Sequence, residues 1–177
     1  MIAPISGHIT GPRPKEGDSN YINNVGIVLT HIPMLSNTTV FEMVSYGRIP
    51  HQNIIATLRP EDINAIDSAI EKVGIGELRN RKLDELSDGE KQKVMIARTI
   101  AQGTDTILLD EPSAFLDYPS KRTLMELLTN LAHNENKAIL LSTHDIEMAK
   151  QFADTIWHIK DGSLNIVSPG IFEPENI

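Results

Sequence analysis

Two apolar runs that end in polar side chains constrain the fold of this 177-residue chain most strongly. Residues 106–111 read Thr-Ile-Leu-Leu-Asp-Glu, and residues 138–144 read Ala-Ile-Leu-Leu-Ser-Thr-His. Continuous apolar runs without alternation are typical of strands covered on both faces in a parallel sheet. A helix is expected to begin at Pro119, so strand and helix alternate along this part of the chain. We therefore predict an α/β fold built on a mostly parallel sheet.

The segment before the first run begins like a capped helix. Ser87 is a good N-cap, and Glu90 three residues later completes a capping box. The predicted helix runs from about Asp88 to Gln102, and Gly103 ends it. Its N-terminus presents free N–H groups and the positive end of the helix dipole, which together can bind an anion. On capping alone, any ordinary helix could begin in this way.

The order of these motifs carries a family resemblance. Residues 86–92, Leu-Ser-Asp-Gly-Glu-Lys-Gln, precede the acidic strand, and Ser-Ala-Phe-Leu-Asp at 113–117 and Ser-Thr-His-Asp at 142–145 follow it. This order resembles roughly the C-terminal two-thirds of an ABC (ATP-binding-cassette) ATPase domain, a P-loop ATPase core with a helical subdomain. The resemblance places a remnant of the N-terminal core at 1–33, the helical subdomain at 34–80, and the signature helix with the remaining core at 81–177.

In ABC ATPases the signature segment grips the γ-phosphate of an ATP molecule bound to the opposite subunit. By resemblance, this role falls to Ser87, Asp88, Gly89 and Glu90. The family's usual form is Leu-Ser-Gly-Gly-Gln, so this chain has an aspartate for the first glycine and a glutamate for the glutamine. Asp88 adds negative charge near a phosphate, although acidic variants at both positions are common in importers for iron complexes.

The resemblance also implies roles at the two strand ends. Asp110 would hold Mg²⁺ through water, and Glu111 would polarise the water that attacks the γ-phosphate. His144, at the end of the second strand, would lie near Glu111 and contact the γ-phosphate. The alternative for Asp110 and Glu111 is a solvent-exposed acidic turn after a core strand. The alternative for His144 is a structural role.

Two further residues are implied in the same way. Asp117 resembles the D-loop aspartate, which takes part in contacts between the two subunits of the dimer. It could also be the N-cap of the helix at Pro119. Thr30 follows a predicted buried strand at 25–29, where the family has a glutamine that senses Mg²⁺. A threonine hydroxyl can still bind Mg²⁺ or hydrogen-bond through water, but it is shorter than glutamine.

The predicted helices between these motifs narrow the resemblance to importers. A capping box at Thr39 and Glu42 predicts one helix, and an apolar stripe that starts after Pro60 and stops at Gly74 predicts another. Residues 44–51, Val-Ser-Tyr-Gly-Arg-Ile-Pro-His, are closest to importers for iron complexes, haem and cobalamin. The implied function is that of the ATP-binding and hydrolysing subunit of an importer for an iron complex, with ATP and Mg²⁺ as ligands.

A P-loop is absent from the sequence. The Gly-x-x-x-x-Gly-Lys-Ser/Thr motif is needed because its backbone N–H groups surround the phosphates and its lysine neutralises them, yet no Gly-Lys pair occurs here. Since the family's P-loop precedes all the motifs found, we expect the chain to start just after it and to be inactive alone. The alternative is a non-catalytic partner, or an inert fragment, that lends only a signature site to a complete subunit.

Composition and charge limit the partners. A net charge of −8 argues against nucleic acid, which needs clustered lysine and arginine, and against a DNA-repair ATPase of the same superfamily. The absence of cysteine excludes disulfides and thiolate metal sites. No apolar run approaches the roughly 20 residues that span a bilayer. We therefore expect a cytoplasmic protein that dimerises with a second ATPase subunit and is held at the inner face of the cell membrane by permease subunits.

Overall fold

The computed structural model describes residues 2–5, 24–30, 37–51 and 57–173. The strands in these ranges are β1 (Ile2–Ile5), β2 (Val25–Val28), β3 (Thr106–Asp110), β4 (Ala138–Ser142), β5 (Ile156–Lys160) and β6 (Ser163–Val167). The α-helices are α1 (Val40–Ser45), α2 (Pro60–Lys72), α3 (Asp88–Gln102), α4 (Tyr118–Asn134) and α5 (Ile146–Phe152). Short 3₁₀ helices cover Tyr46–His51, Gly76–Leu78, Leu83–Glu85 and Pro169–Ile171. Most of the predicted core remnant at 1–33 lies outside the described residues.

The six strands form one sheet with the order β2-β3-β4-β1-β5-β6. β3 pairs in parallel with β2 and with β4, whereas β1 lies antiparallel between β4 and β5, and β6 returns antiparallel to β5. β2, β3, β4 and β5 therefore run in one direction, and among the described strands β1 and β6 oppose them. The predicted α/β class with a mostly parallel sheet is confirmed.

One face of the parallel strands is well covered, and the opposite face is more open. The covered face holds Val28, Ile107, Leu109, Ile139 and Leu141, all of them buried. On the opposite face Ile27 is 55% exposed, and its cross-strand neighbours Leu108 and Leu140 are only partly buried. Residues 106–109 are therefore buried on one face and partly buried on the other, so the predicted covering of both faces is complete on one face only. Successive side chains of a strand point to opposite faces, so packing on one side buries only alternate residues.

Local capping chemistry sets the helix ends. Thr39, Ser87 and Asp117 cap α1, α3 and α4, and each side chain accepts the N–H of the residue three positions further on. Gly103 ends α3 in the left-handed conformation, with φ of 74°, which glycine adopts without the steric cost of a Cβ. Helix α4 starts directly after Asp117, one residue before Pro119, because Asp117 is its cap.

Helix α3 connects the sheet to the helical segment, which we define as residues 37–51 and 57–83. Helices α1 and α2 pack along α3, while α3 also contacts β2. The approach to the strand is close, since a Cβ added to Gly26 would lie 2.3 Å from Thr99 Cγ2. Within the described ranges, no helix is both long enough and apolar enough to cross a membrane.

Candidate active site

Three parallel strands end side by side at one edge of the sheet. Asp110 at the end of β3 is in register with Ser142 at the end of β4, and Thr30 follows β2 on the other side. Glu111 and His144 lie just beyond these strand ends. Open α/β sheets bind ligands at the carboxyl ends of their strands. We call these five residues the carboxyl edge, and they form the candidate active site.

Asp110 is held by hydroxyl groups on both sides. Ser142 Oγ donates a hydrogen bond to Asp110 Oδ1 at 2.8 Å. Thr30 Oγ1 lies 2.8 Å from Asp110 Oδ2 and 2.8 Å from the main-chain oxygen of Asp110, so its single proton is shared between the two. Thr30 and Asp110 therefore stand together, as their implied roles around one metal ion require, and these roles stay predictions.

Glu111 and His144 are in direct contact. Glu111 Oε2 lies 2.8 Å from His144 Nδ1, so the prediction that the two strand ends bring these residues together is confirmed. A carboxylate oxygen only accepts, and Nδ1 therefore carries the proton in this contact. Glu111 adopts φ of 46°, a left-handed conformation that is uncommon for a non-glycine residue. Strain of this kind costs about 1–3 kcal/mol and is concentrated at functional sites.

Ser142 is the residue of this edge whose part the sequence analysis missed. Its hydroxyl donates to Asp110 Oδ1 and accepts the N–H of Glu111 at 2.9 Å, so one side chain positions both acids. A sequence signal could have identified Ser142. Aligning the apolar runs at 106–109 and 138–141 places Asp110 opposite Ser142, as the structure does.

The oxygen ligands at the carboxyl edge fit a magnesium ion bound through water. Asp110 supplies carboxylate oxygens and Thr30 a hydroxyl. Mg²⁺ prefers oxygen ligands, keeps several waters, and is usually held by one or two carboxylates together with substrate phosphates. Within the described residues, no cluster of three or more His, Cys, Asp or Glu side chains could hold a metal by itself. The edge therefore suits a magnesium ion that arrives with a nucleotide.

The first turn of α3 is the second candidate group, and we call it the signature turn, residues 87–90. Ser87 donates from its N–H and its hydroxyl to Glu90 Oε2 at 2.8 and 2.7 Å, and the Glu90 N–H donates to Ser87 Oγ at 3.3 Å. The hydroxyl and then the N–H of Ser87 lower the pKa of Glu90 below its ordinary value. Asp88 pairs with Lys91 at 3.2 Å, which offsets the charge that Asp88 adds. The predicted capping box is confirmed.

The loop at 113–117 packs against the signature turn. A Cβ added to Gly89 would lie 3.0 Å from Leu116 Cδ2, so glycine allows the loop to approach closely. Asp117 Oδ1 accepts the N–H of Ser120 at 3.0 Å and caps α4. The local role considered for Asp117 is thus confirmed, and its D-loop role stays a prediction.

Known proteins match the chain along most of its length. The ABC transporter family profile matches residues 1–114. The iron(3+)-hydroxamate import ATP-binding protein FhuC of Bacillus subtilis is 37% identical over 145 residues, which cover 78% of this chain and 54% of that protein. The high-affinity zinc uptake system ATP-binding protein ZnuC of Bacillus subtilis is 32% identical over 163 residues, which cover 92% of this chain and 71% of that protein.

A solved structure described as the dimeric form of a bacterial ABC transporter cassette has the same fold. Its TM-score is 0.73 at 25% identity, and the match covers 86% of this chain and 67% of that one. The fold places the chain among α/β proteins with a mostly parallel sheet. The chain belongs to the ABC transporter family. It spans about half the length of the hydroxamate-import relative, 54%.

Proposed function

We propose that the chain supplies the hydrolytic edge and the signature turn of the ATP-binding subunit of an ABC importer. The observation that carries this proposal is the 2.8 Å contact between Glu111 and His144, beside Asp110, where parallel strands end. Membership of the ABC transporter family and the relatives named as import ATP-binding proteins support it. Because these 177 residues contain no Gly-Lys pair, the proposal assigns the phosphate-binding loop to residues outside them.

Glu111 is the proposed general base, and its carboxylate accepts the proton of the water that attacks the γ-phosphate. Ser142 fixes the main chain of Glu111, and His144 orients its carboxylate. The His144 side chain is 72% exposed, so its Nε2 is available to the γ-phosphate. Nε2 donates a hydrogen bond only when the ring is protonated, because Nδ1 holds the single proton of the neutral ring.

Asp110 and Thr30 are the proposed residues for holding Mg²⁺ through water. When bound, Mg²⁺ would neutralise charge that develops on the phosphates. Asp110 receives hydrogen bonds on both carboxylate oxygens, from Ser142 and from Thr30. Its orientation is therefore set by the protein before a nucleotide arrives.

The signature turn is proposed to bind the γ-phosphate of ATP held by a second ATPase subunit. The solved relative described as a dimer supports such an arrangement. A helix N-terminus offers N–H groups and a positive dipole to an anion. Ser87 directs its N–H and its hydroxyl at Glu90 in the present conformation, so a phosphate must compete with that carboxylate for them. Asp117 is proposed to carry contacts across the same subunit interface.

The proposed cargo is an iron complex. The likeness of residues 44–51 to iron-complex importers supports this, as does the relative named for iron(3+)-hydroxamate import. A relative named for zinc uptake matches more of this chain, so zinc is the second cargo class. Permease subunits at the inner face of the cell membrane are the proposed partners, and residues 34–80 form the proposed helical subdomain that contacts them. No nucleic-acid partner is proposed.

A second candidate function uses only the signature turn. The capping box at Ser87 and Glu90 is intact, whereas no Gly-Lys pair is present for a phosphate loop. In this version the chain is a non-catalytic partner that completes one ATP site on a complete subunit. Glu111 and His144 would then have no nucleotide of their own to act on.

The isolated chain is expected to bind MgATP more weakly than about 1 mM. In a P-loop, a lysine and a glycine-rich cradle supply most of the charge-assisted hydrogen bonds to a triphosphate. The sequence does not contain the Gly-x-x-x-x-Gly-Lys-Ser/Thr motif that provides them. Titration calorimetry measures the affinity. The Asp110→Asn variant is the control, because it removes the charge at the carboxyl edge and keeps the shape of the side chain. Micromolar affinity of the parent chain would contradict the assignment of the phosphate cradle to other residues.

A further inference from the structure

The C-terminal end of α3 is held by the 3₁₀ turn at Tyr46–His51. Arg48 Nη1 donates to the carbonyl oxygen of Ala101 at 2.8 Å, and His51 Nε2 lies 2.7 Å from the carbonyl oxygen of Gln102. A carbonyl oxygen only accepts, so Nε2 is the donor. The last carbonyls of a helix lack intrahelical partners and carry partial negative charge. Both contacts therefore stabilise the end of α3.

Arg48 is itself fixed by a buried ion pair. Arg48 Nε donates to Asp62 Oδ1 at 2.9 Å, and the two side chains are 14% and 3% exposed. Asp62 Oδ2 accepts the N–H of Arg59 at 3.0 Å, so the same carboxylate also stabilises the start of α2. Arg48 thus joins the beginning of α2 to the end of α3 through one guanidinium group.

Gly47 brings the backbone of the turn into direct contact with α3. A Cβ at this position would lie 2.2 Å from the carbonyl oxygen of Arg98 and 3.2 Å from the N atom of Gln102. Both neighbours are helix backbone, so a larger residue would displace the helix. Gly47, Arg48, His51 and Asp62 together form what we call the α3 clamp.

We propose that the α3 clamp, with Arg48 at its centre, positions the signature turn at the opposite end of the helix. Helix α3 has 15 residues, so its ends are roughly 22 Å apart at about 1.5 Å per residue. A tilt of about 10° at the clamp would move Ser87 by roughly 4 Å, more than a hydrogen bond tolerates. Arg48 is a positioning residue and touches no nucleotide. Its relevance to ATP rests on the proposed function of the signature turn, but the positioning itself belongs to this chain alone.

Two variants weaken the clamp at Arg48, with different risks to folding. Arg48→Met with Asp62→Asn leaves no unpaired buried charge, and asparagine keeps an oxygen for the Arg59 N–H. Arg48→Lys keeps the charge but cannot reproduce the planar contact with both Asp62 and Ala101. The matched control is Arg79→Met with Asp67→Asn, which breaks a 2.8 Å arginine–aspartate pair of the same helical segment.

Distances between spin labels test the proposal on the chain itself. The chain has no cysteine, so labels can be placed on Asp84→Cys, three residues before the signature turn, and on Glu147→Cys in the core, both exposed positions. Their separation reports how the approach to the signature turn lies relative to the core. The parent and the control are expected to give one narrow distribution. The double clamp variant should displace its mean by about 4 Å or double its width, with a smaller change for Arg48→Lys. If the double variant fails to fold, the distance distribution of Arg48→Lys is compared with that of the control instead. The proposal would be overturned if every clamp variant that folds gave the same distance distribution as the parent.

Association with a complete relative gives a second measurement. In the presence of ATP, both clamp variants are expected to associate about tenfold more weakly than the parent chain, whereas the control should match the parent. If the parent chain itself shows no ATP-dependent association, the proposed function fails, and the label distances still decide whether the clamp positions the signature turn. A clamp variant could show shifted label distances and still associate as tightly as the parent. That result would overturn the claim that the clamp affects ATP-dependent association.

Discussion

Glu111→Gln is expected to lower ATP turnover by about 10²- to 10⁴-fold, roughly 3–5 kcal/mol, in a form of the chain joined to the phosphate-loop segment of a relative. Glutamine keeps the shape of the side chain but cannot accept the proton of the attacking water. ATP binding and dimerisation should persist, because neither depends on that proton. Phosphate release under saturating ATP measures the turnover rate.

The matched control for this substitution is Glu126→Gln. Glu126 lies on the exposed surface of α4, where it pairs only with Arg122 among the contacts described, at 2.9 Å. Its replacement should leave the turnover rate unchanged. A Glu111→Gln protein that hydrolyses ATP near the parent rate would show that Glu111 is not the base, and Asp110 would become the carboxylate to examine.

Ser87→Arg is expected to abolish the ATP-dependent association of this chain with a complete ABC subunit. The side chain would occupy the space through which the γ-phosphate approaches the N–H groups of the first turn of α3. Size-exclusion chromatography with light scattering, with and without ATP, measures the complex. The parent chain should form a complex only with ATP, and the variant should remain free in both conditions.

Loss of the cap at Ser87 would by itself destabilise the start of α3 by about 1 kcal/mol. Thr39→Arg is therefore the control, because Thr39 and Glu42 form the same kind of capping box at α1. It removes a cap and adds an arginine away from the signature turn. An ATP-dependent complex that survives Ser87→Arg, or that Thr39→Arg weakens equally, would show that the signature turn is not the nucleotide contact.

Features set by neighbouring residues could be predicted from the sequence. Both ends of α3 follow from side chains within a few positions of each other, the capping box of Ser87 with Glu90 and the left-handed Gly103. The contact between Glu111 and His144 was also predictable, because parallel strands that end together bring their next residues to the same edge. The α/β class followed from the same strands and the helix between them.

Other features that depend on distant contacts were missed. Ser142 contacts Asp110 and Glu111 because of the register of two strands. Arg48 holds the end of α3 by donating to a carbonyl oxygen 53 positions away along the chain. The open face at Ile27 was missed because an apolar run shows only that a strand can be buried. The elements that pack around the strand decide how much of its surface is actually buried. The domain limits at 1–33, 34–80 and 81–177 remain predictions.

ATP turnover by a mixture of two proteins tests most directly whether this chain acts through its signature turn. The first protein is the complete hydroxamate-import relative with its own signature serine replaced by arginine, which should be silent alone. The second is this chain, which should restore turnover by presenting Ser87 to the nucleotide on the relative. We predict that turnover appears on mixing, saturates at equal amounts of the two proteins, and is absent with the Ser87→Arg chain. No turnover on mixing, although the relative binds ATP, would contradict it.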